Sequence, residues 1–515
     1  MRVALTVADF LQRAALVYGN RVAVEDEPAV AGSSGAQTYT ELEARARGMA
    51  IAFDELGVGH GERVAIVSPN SSRFLTAFFG VSGFGRILVP INFRLTTDEI
   101  AYVVGHSGAS VLLYDPDLAG AVDGIKVDHC FCLDGVDDAA LFAPAAPGTA
   151  PHPWEPDENA TCSVNYTSGT TARPKGVELT HRNCWLNAAT FGWHTGVSDR
   201  DVLLHTLPMF HCNGWGMPYA VTGMGGTHIV LRKVDGVEIL SRIERHGVTL
   251  LCGAPAVVAA IVGAAEARVG EGRDVPGRGT VRIVVAGAPP PSKTIERVET
   301  ELGWEFIQIY GLTETSPLLT INRAPSEWDG LGAGTRSVLL GRAGVPAVGV
   351  QIEVDDEGEV LARANHVFAG YWEQPDESAA ALEGGWFHTG DGGYLDQAYL
   401  VISDRKKDVI ITGGENVSSI EVEDCLYQHA AVAEVAVIGV PDETWGETIK
   451  ALVVVREGAT VTEAELIAHC RDRLAHFKAP TSVELRHVLD RTATGKLQKY
   501  KLRQPYWAGR ERSIG

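Results

Sequence analysis

The sequence predicts an α/β protein with a large N-terminal domain of parallel sheets flanked by helices and a small, mobile α+β C-terminal domain. Three observations carry that expectation. The chain has 515 residues, too many for a single hydrophobic core. From residue 63 onward short apolar runs alternate with amphipathic stretches, the pattern of strand and crossover helix. At ISDRKKDVIITGGENVSSIEVED, residues 402–424, a basic cluster and a glycine pair separate a long body from a tail with its own helix and strand signals. The expected domains are residues 1–404 and 405–515, joined by a short hinge.

In chain order, MRVALTVADFLQRAALVYGNR places charges inside an apolar pattern and has no small-residue cleavage site, so it predicts an amphipathic helix and no signal peptide. RVAIVSP (63–69) is the first strand, SSRFLTAFFGVSGFG (71–85) a helix, and ILVPIN (87–92) the next strand. A helix follows at TTDEIAYVV, where Thr96 and Glu99 have the spacing of a capping box, and then the strand SVLLYD (110–115). In VDHCFCLD, Cys130 and Cys132 fall on one face of a strand and are expected to pack in the core. Residues 137–162 are rich in Ala and Pro without periodicity, which predicts a surface crossing between two sub-lobes.

TCSVNY (161–166) then alternates as a strand, SGTTARPKG (168–176) is loop, and a helix starts near Thr180. That order puts the loop at a strand's carboxyl end, where sheet proteins bind ligands. The run VTLLCGAPAVVAAIVGAA, ending at Ala265, has the length of a membrane span, but Pro255 divides it into a buried strand, a turn and a core helix. VRIVVAG (281–287) and EFIQIYG (305–311) are strands running into glycine-containing loops. In the tail, VAEVAVIGV and ALVVVRE are strands, and Thr462 with Glu465 caps a helix.

Composition excludes several functions. Acidic residues outnumber basic ones by 65 to 44, a net charge of -21, which argues against a general nucleic-acid or anionic-membrane binder while leaving room for a small polyanion at a local cluster. The eight cysteines are scattered, with no paired CxxC zinc arrangement, and fit reduced, buried thiols. The chain ends ERSIG, without a peroxisomal or lipidation signal. The expectation is a cytoplasmic enzyme with no membrane span.

Taken alone, SGTTARPKG offers hydroxyls, backbone NH groups and Lys175, a set suited to phosphate oxygens, although it is not a Walker loop and a solvated turn remains the alternative. Further strings follow in order: LPMFHCNGW (207–215), QIYGLTETSP (308–317), GWFHTGDGGYLD (385–396), ISDRKKDVIITGGEN (402–416) and RTATGKLQKYKLR (491–503). With YTSGTTARPKG (166–176), they make the chain resemble, over nearly its whole length, the adenylate-forming acyl-CoA synthetase superfamily, which includes coumarate and benzoate CoA ligases.

The resemblance implies a small β sub-lobe in the N-terminal domain and a set of site residues. Thr167, Ser168, Gly169, Thr170, Thr171, Ala172 and Lys175 form the phosphate loop, in which Thr170, Thr171 and Lys175 hold the pyrophosphate end of ATP. Glu314 places Mg²⁺. Tyr310, Gly311 and Thr313 line the nucleotide, Asp391 accepts from both ribose hydroxyls, and Arg405 adds a donor. Lys407 marks the hinge, and Lys496 reaches the carboxylate and α-phosphate as charge builds during adenylation.

The acyl pocket is expected along His211, Asn213 and Trp215, Ala286, Gly287 and Ala288, and Leu312, with core packing as the alternative for His211 and Trp215. Gly413, Gly414 and Glu415 line the coenzyme A path after the C-terminal domain rotates. LPMFHCNGW has no aspartate to pair with an α-ammonium, so an apolar or aromatic acid is favoured over an amino acid. The expected activity is an AMP-forming acid–thiol ligase using ATP, Mg²⁺ and coenzyme A.

One position departs from the family pattern: Ala172 stands where the loop normally has glycine. If the backbone there has a positive φ, alanine costs roughly 1 to 2 kcal/mol, and its methyl would face phosphate oxygens. Adenylation is then weakened or lost, and the enzyme forms thioesters from an acyl-adenylate supplied by a partner enzyme. If φ is negative and the methyl points to solvent, the chain is an ordinary ligase. Loading of a carrier protein and non-catalytic binding of an acyl-adenylate are the rival readings, and a homodimer is left open.

Overall fold

In a computed structural model of the chain, the described residues are 1, 3–28, 30–167, 173–287, 290–405, 408–412, 415–442, 445–491 and 497–508, with the side chains of residues 404, 405 and 416 outside the description. Two large sheets back the N-terminal body. The nine-stranded sheet runs in the order Val345–Pro346, Leu318–Arg323, Glu305–Gly311, Arg282–Val285, Leu250–Gly253, Val202–Leu204, Thr227–Ile229, Val22–Glu25 and Ala36–Thr38. Its six inner strands are parallel, and the remaining strands, at its two ends, are antiparallel to their neighbours.

The seven-stranded sheet is ordered Gly370–Tyr371, Lys175–Thr180, Thr161–Thr167, Ile87–Ile91, Arg63–Val67, Val111–Tyr114 and His129–Cys132. A parallel strand covered on both faces needs a continuous apolar run. Val64, Ala65, Ile66 and Val67 are accordingly all buried. The helix Ser72–Gly80 is buried at every position and opens on Ser71, whose Oγ accepts from the Phe74 amide at 3.1 Å. Its Phe78 meets Tyr219 edge-on at 5.6 Å, with Tyr219 carried by the helix Met217–Met224.

The small β sub-lobe is present as a four-stranded antiparallel sheet of Val350–Val354, Glu359–Ala364, Phe387–Asp396 and Tyr399–Arg405. The C-terminal domain has its own sheet, in which Val432–Asp442 and Ser482–Arg486 flank Gly446–Val455, and its own core of Val435, Val437, Leu466 and neighbours. It touches the body where Asp424 Oδ1 accepts from the backbone NH of Ser292 at 3.0 Å and from its hydroxyl at 3.1 Å.

Local signals hold where the physics is local. Thr96 with Glu99 and Thr462 with Glu465 both form reciprocal capping boxes. Pro255 is the first residue of the helix Pro255–Gly270, where its missing NH costs nothing. Among the described residues no helix is long and apolar enough to cross a membrane.

Three expectations need correction. The loop after Thr167 leads into a strand, Lys175–Thr180, before the helix His181–Thr195, so it closes a hairpin in which Thr167 pairs with Lys175. Val177 and Leu179, two apart and so on one face, are both buried there, and their burial favours the extra strand. Cys130 is exposed and Cys132 half-buried, because His129–Cys132 is the sheet's edge; the other six cysteines are buried. Residues 137–162 do not all lie on the surface. Leu141 and Phe142 enter the core, and Asp138 is fully buried against the guanidinium of Arg73.

Candidate active site

The parallel strands of the nine-stranded sheet deliver the candidate residues at their carboxyl ends, where their loops meet the other sheets. Glu305–Gly311 is the most productive. It ends at Gly311, and a Cβ there would lie 1.6 Å from the carbonyl oxygen of Pro317, so only glycine fits the closed turn. Thr315 Oγ1 locks that turn by accepting from the Leu312 amide at 3.0 Å and donating to the Pro317 carbonyl at 2.6 Å.

At the start of this turn and within it stand two expected site residues, Tyr310 and Glu314, and both reach another sheet. The Tyr310 hydroxyl donates to Asp391 Oδ2 at 2.9 Å, joining the nine-stranded sheet to the β sub-lobe. Asp391 is buried, its NH donates to Thr389 Oγ1 at 3.1 Å, and its backbone pairs with Arg405 across the ladder. Glu314 turns to the seven-stranded sheet, where its Oε1 accepts from the Tyr371 hydroxyl at 3.0 Å. Burial and the adjacent Glu314 push the Tyr371 phenol well above its usual range, so it remains a donor.

The hairpin strands that flank the candidate phosphate loop are held by a neighbouring helix. Tyr166 and His106 share a hydrogen bond of 2.8 Å, the Tyr102 hydroxyl donates to the Pro174 carbonyl at 3.3 Å, and the Arg173 guanidinium lies 5.2 Å from the Tyr102 ring. Tyr102 and His106 are one turn apart on the helix Thr97–Ser107. Lys175 opens the second hairpin strand with its ammonium over the Tyr371 ring, 4.8 Å from the centroid. Gly176 is needed beside it, since a Cβ would press on Val164 at 2.8 Å and on Trp372 and Tyr166 at 3.1 Å.

The candidate acyl residues follow the strands Val202–Leu204 and Arg282–Val285. His211 is half-buried. Asn213 and Trp215 are buried in a segment of positive φ, at 51° and 59°. Asn213 donates to Ser163 Oγ at 2.8 Å and accepts from Asn165 at 3.2 Å, which ties the segment to the hairpin. Trp215 packs in the main core, and its carbonyl accepts from Asn187 at 3.1 Å. Ala286 is buried, Gly287 exposed with φ 92°, and Leu312 half-buried.

Shared contacts thus bring Lys175, Glu314, Tyr310, Gly311 and Asp391 together, with Leu312 and Thr313 inside the same turn. Thr167 sits at the hairpin's first strand end, and Glu415 is exposed opposite Thr412 in the C-terminal domain. Ser168, Gly169, Thr170, Thr171, Ala172, Ala288, Lys407, Gly413, Gly414, Lys496 and the Arg405 side chain lie outside the described residues. Sequence reasoning missed Tyr371, Tyr102 and His106. An aromatic pair in AGYWE and two rings spaced four apart in a helix were their only marks.

The AMP-binding enzyme family matches residues 11–372, and the AMP-binding enzyme C-terminal domain matches residues 421–496. The 2-methylpropanoate–CoA ligase CCL4 of Humulus lupulus is 36% identical over 97% of this chain and 94% of its own. The 4-hydroxybutyrate–CoA ligase 2 of Metallosphaera sedula is 35% identical over the same shares. Among solved structures, the anthranilate CoA ligase AuaEII in complex with anthranoyl-AMP superposes with a TM-score of 0.87 at 26% identity, covering 98% of each chain. ATP-bound MatB from Rhodopseudomonas palustris gives 0.82 at 28% identity over 97% and 99%. Agreement in sequence along almost the whole chain, and in fold across both domains, leads to one conclusion: the chain belongs to the AMP-binding enzyme family and is an AMP-forming acid–CoA ligase.

Proposed function

We propose that the protein converts a short apolar carboxylic acid to its coenzyme A thioester through an acyl-adenylate, and that Ala172 slows the first of the two steps. The observation that supports this most is the stretch 310–314, which reaches Asp391 on one side and Tyr371, under Lys175, on the other. A nucleotide needs a ribose acceptor and a triphosphate-facing cation held in fixed relation, and a single turn in contact with both sides is suited to that. The size of the acid rests on relatives whose names concern 2-methylpropanoate, 4-hydroxybutyrate, and acetate or butyrate.

The chemistry sets the roles. A carboxylate resists thiolate attack because it is anionic and has no leaving group. Its oxygen therefore first attacks the α-phosphorus of ATP, and pyrophosphate leaves. Asp391 holds the ribose, with Arg405 beside it; Tyr310, Gly311 and Thr313 flank the base, and Lys175 with Thr170 and Thr171 takes the pyrophosphate. Lys496 neutralises the charge growing at the α-phosphate and carboxylate. One hard oxygen ligand beside phosphate oxygens suits Mg²⁺. Glu314 fits that description, and the ion would neutralise charge on the triphosphate. The domain of residues 405–515 then turns about Lys407, and the thiol reaches the acyl carbon past Gly413, Gly414 and Glu415, releasing AMP.

ATP–pyrophosphate exchange with acetate, butyrate, 2-methylpropanoate, 4-hydroxybutyrate and benzoate tests both parts. If glycine's freedom at this position is worth roughly 1 to 2 kcal/mol, Ala172→Gly exchange runs about tenfold faster than wild type. Equal, strong exchange in both proteins would sink the role given to Ala172. Supplied 2-methylpropanoyl-adenylate and coenzyme A give thioester in both; no thioester from either would refute the ligase reading for short acids.

A further inference from the structure

Tyr371 has no assigned role, yet it touches both charges of the candidate triphosphate site. Its hydroxyl donates to Glu314 Oε1 at 3.0 Å, and the Lys175 ammonium lies 4.8 Å from its ring centroid. A lysine and a glutamate within reach of one ring would otherwise gain by collapsing into an ion pair, which would deny the lysine to phosphate and the carboxylate to a cation. A phenol satisfies each charge separately. The cation–π contact is weak, and phosphate oxygens displace it readily. The bond at the other end fixes one carboxylate oxygen of Glu314.

The ring is held rigidly enough for this task. Gly370–Tyr371 pairs with Lys175–Thr180, with Tyr371 opposite Val177, so ring and lysine move as one ladder. The Tyr371 amide donates to Ser378 Oγ at 2.8 Å, and Phe368 packs on the ring at 4.8 Å. Phe368 also donates its own amide to the Glu314 carbonyl at 2.7 Å, which fastens the glutamate's backbone to the segment leading into that short strand.

We propose that Tyr371 is a positioning residue for adenylation: it keeps the Lys175 ammonium and the Glu314 carboxylate apart and presents them to the triphosphate and its divalent cation. The inference rests on the reading of Lys175 and Glu314 as triphosphate and cation ligands. It assigns the hydroxyl to the first half-reaction alone.

Tyr371→Phe keeps the ring and removes the hydroxyl. Losing a hydrogen bond to a charged group predicts roughly a tenfold rise in the Mg²⁺ concentration that half-saturates ATP–pyrophosphate exchange, assayed in the wild type and on the Ala172→Gly background. Thioester formation from supplied acyl-adenylate and coenzyme A stays within about twofold of the parent, since no triphosphate takes part. Glu314→Gln separates the two readings. If it leaves Mg²⁺ dependence unchanged, the cation role of Glu314 fails and this inference with it. If Glu314→Gln raises the requirement and Tyr371→Phe does not, the inference alone is overturned. The double variant supplies a second check: effects that coincide support positioning through Glu314, and effects that multiply refute it. Equal slowing of both half-reactions by Tyr371→Phe would make the hydroxyl mere scaffold.

Discussion

His181 should make the N-terminal domain sensitive to acid in a way that one substitution removes. It is fully buried as the first residue of the helix His181–Thr195, behind its cap Thr180. Its Nδ1 accepts from the Val7 amide at 3.3 Å, so the neutral ring carries its proton on Nε2, which is buried without a partner among the described residues. Charging this ring removes a cation from water, sets an N–H against the Val7 N–H, and places positive charge at a helix N-terminus, where the dipole opposes it. Burial pushes its pKa down to about 4, only partly offset by Asp157.

The sign follows from proton counting. The unfolded chain binds a proton near pH 6.5 and the folded one near 4, so stability is complete above 6.5 and falls as pH drops through that window. The slope is about 1.4 kcal/mol per pH unit, and the loss at pH 5 is about 2 kcal/mol. His181→Asn keeps an acceptor for Val7 and cannot titrate. Urea midpoints of the N-terminal domain, followed by tryptophan fluorescence from pH 7.5 to 5 at fixed ionic strength, should therefore fall more steeply in wild type than in the variant. His205, pushed down to about 3 by burial, and its neighbour His228, depressed by burial and by His205, act with the same sign in both proteins, so the difference isolates His181. Parallel midpoint curves would refute the reasoning.

Two further substitutions probe the scaffold. Gly311→Ala forces a Cβ against the Pro317 carbonyl, so the turn between Tyr310 and Glu314 must open; AMP affinity by calorimetry should drop at least about tenfold, alongside a lower melting temperature. Arg73→Ala leaves Asp138 buried and unpaired at a cost of roughly 3 to 5 kcal/mol, seen as a lower urea midpoint, and Arg73→Met with Asp138→Leu recovers most of it.

The legible parts of this chain are those decided within one turn or one strand. Thr96 and Glu99 predict their own cap because the bonds they make lie three residues apart. The strand Arg63–Val67 is visible because both its faces are buried. The strand Lys175–Thr180 was hidden, since its alternation is short and abuts the cap of the next helix. An edge strand and a central one share a period of two, so nothing in HCFC distinguished a core face from an open one. Asp138 finds Arg73 at a separation of 65 residues, and Tyr371 finds Glu314 at 57. Residue type alone signals neither pairing. Asn213 shows the same limit, since nothing local in LPMFHCNGW signals that its amide binds Ser163 and Asn165.

The contact between Asp424 and Ser292 bears on timing. The C-terminal domain rests on the body partly through a carboxylate at the first residue of the helix Ser292–Arg297. Both partners are readily rehydrated when they separate, so each bond to the carboxylate holds by only about 1.5 to 3 kcal/mol net. At that strength the contact selects an orientation without trapping it. A turn of the small domain would break it within the microsecond to millisecond scale of domain motions, faster than a typical turnover of about 10 per second. Under the proposed rotation, the ligand bound at each stage, and not the strength of this clasp, would decide which way the small domain faces.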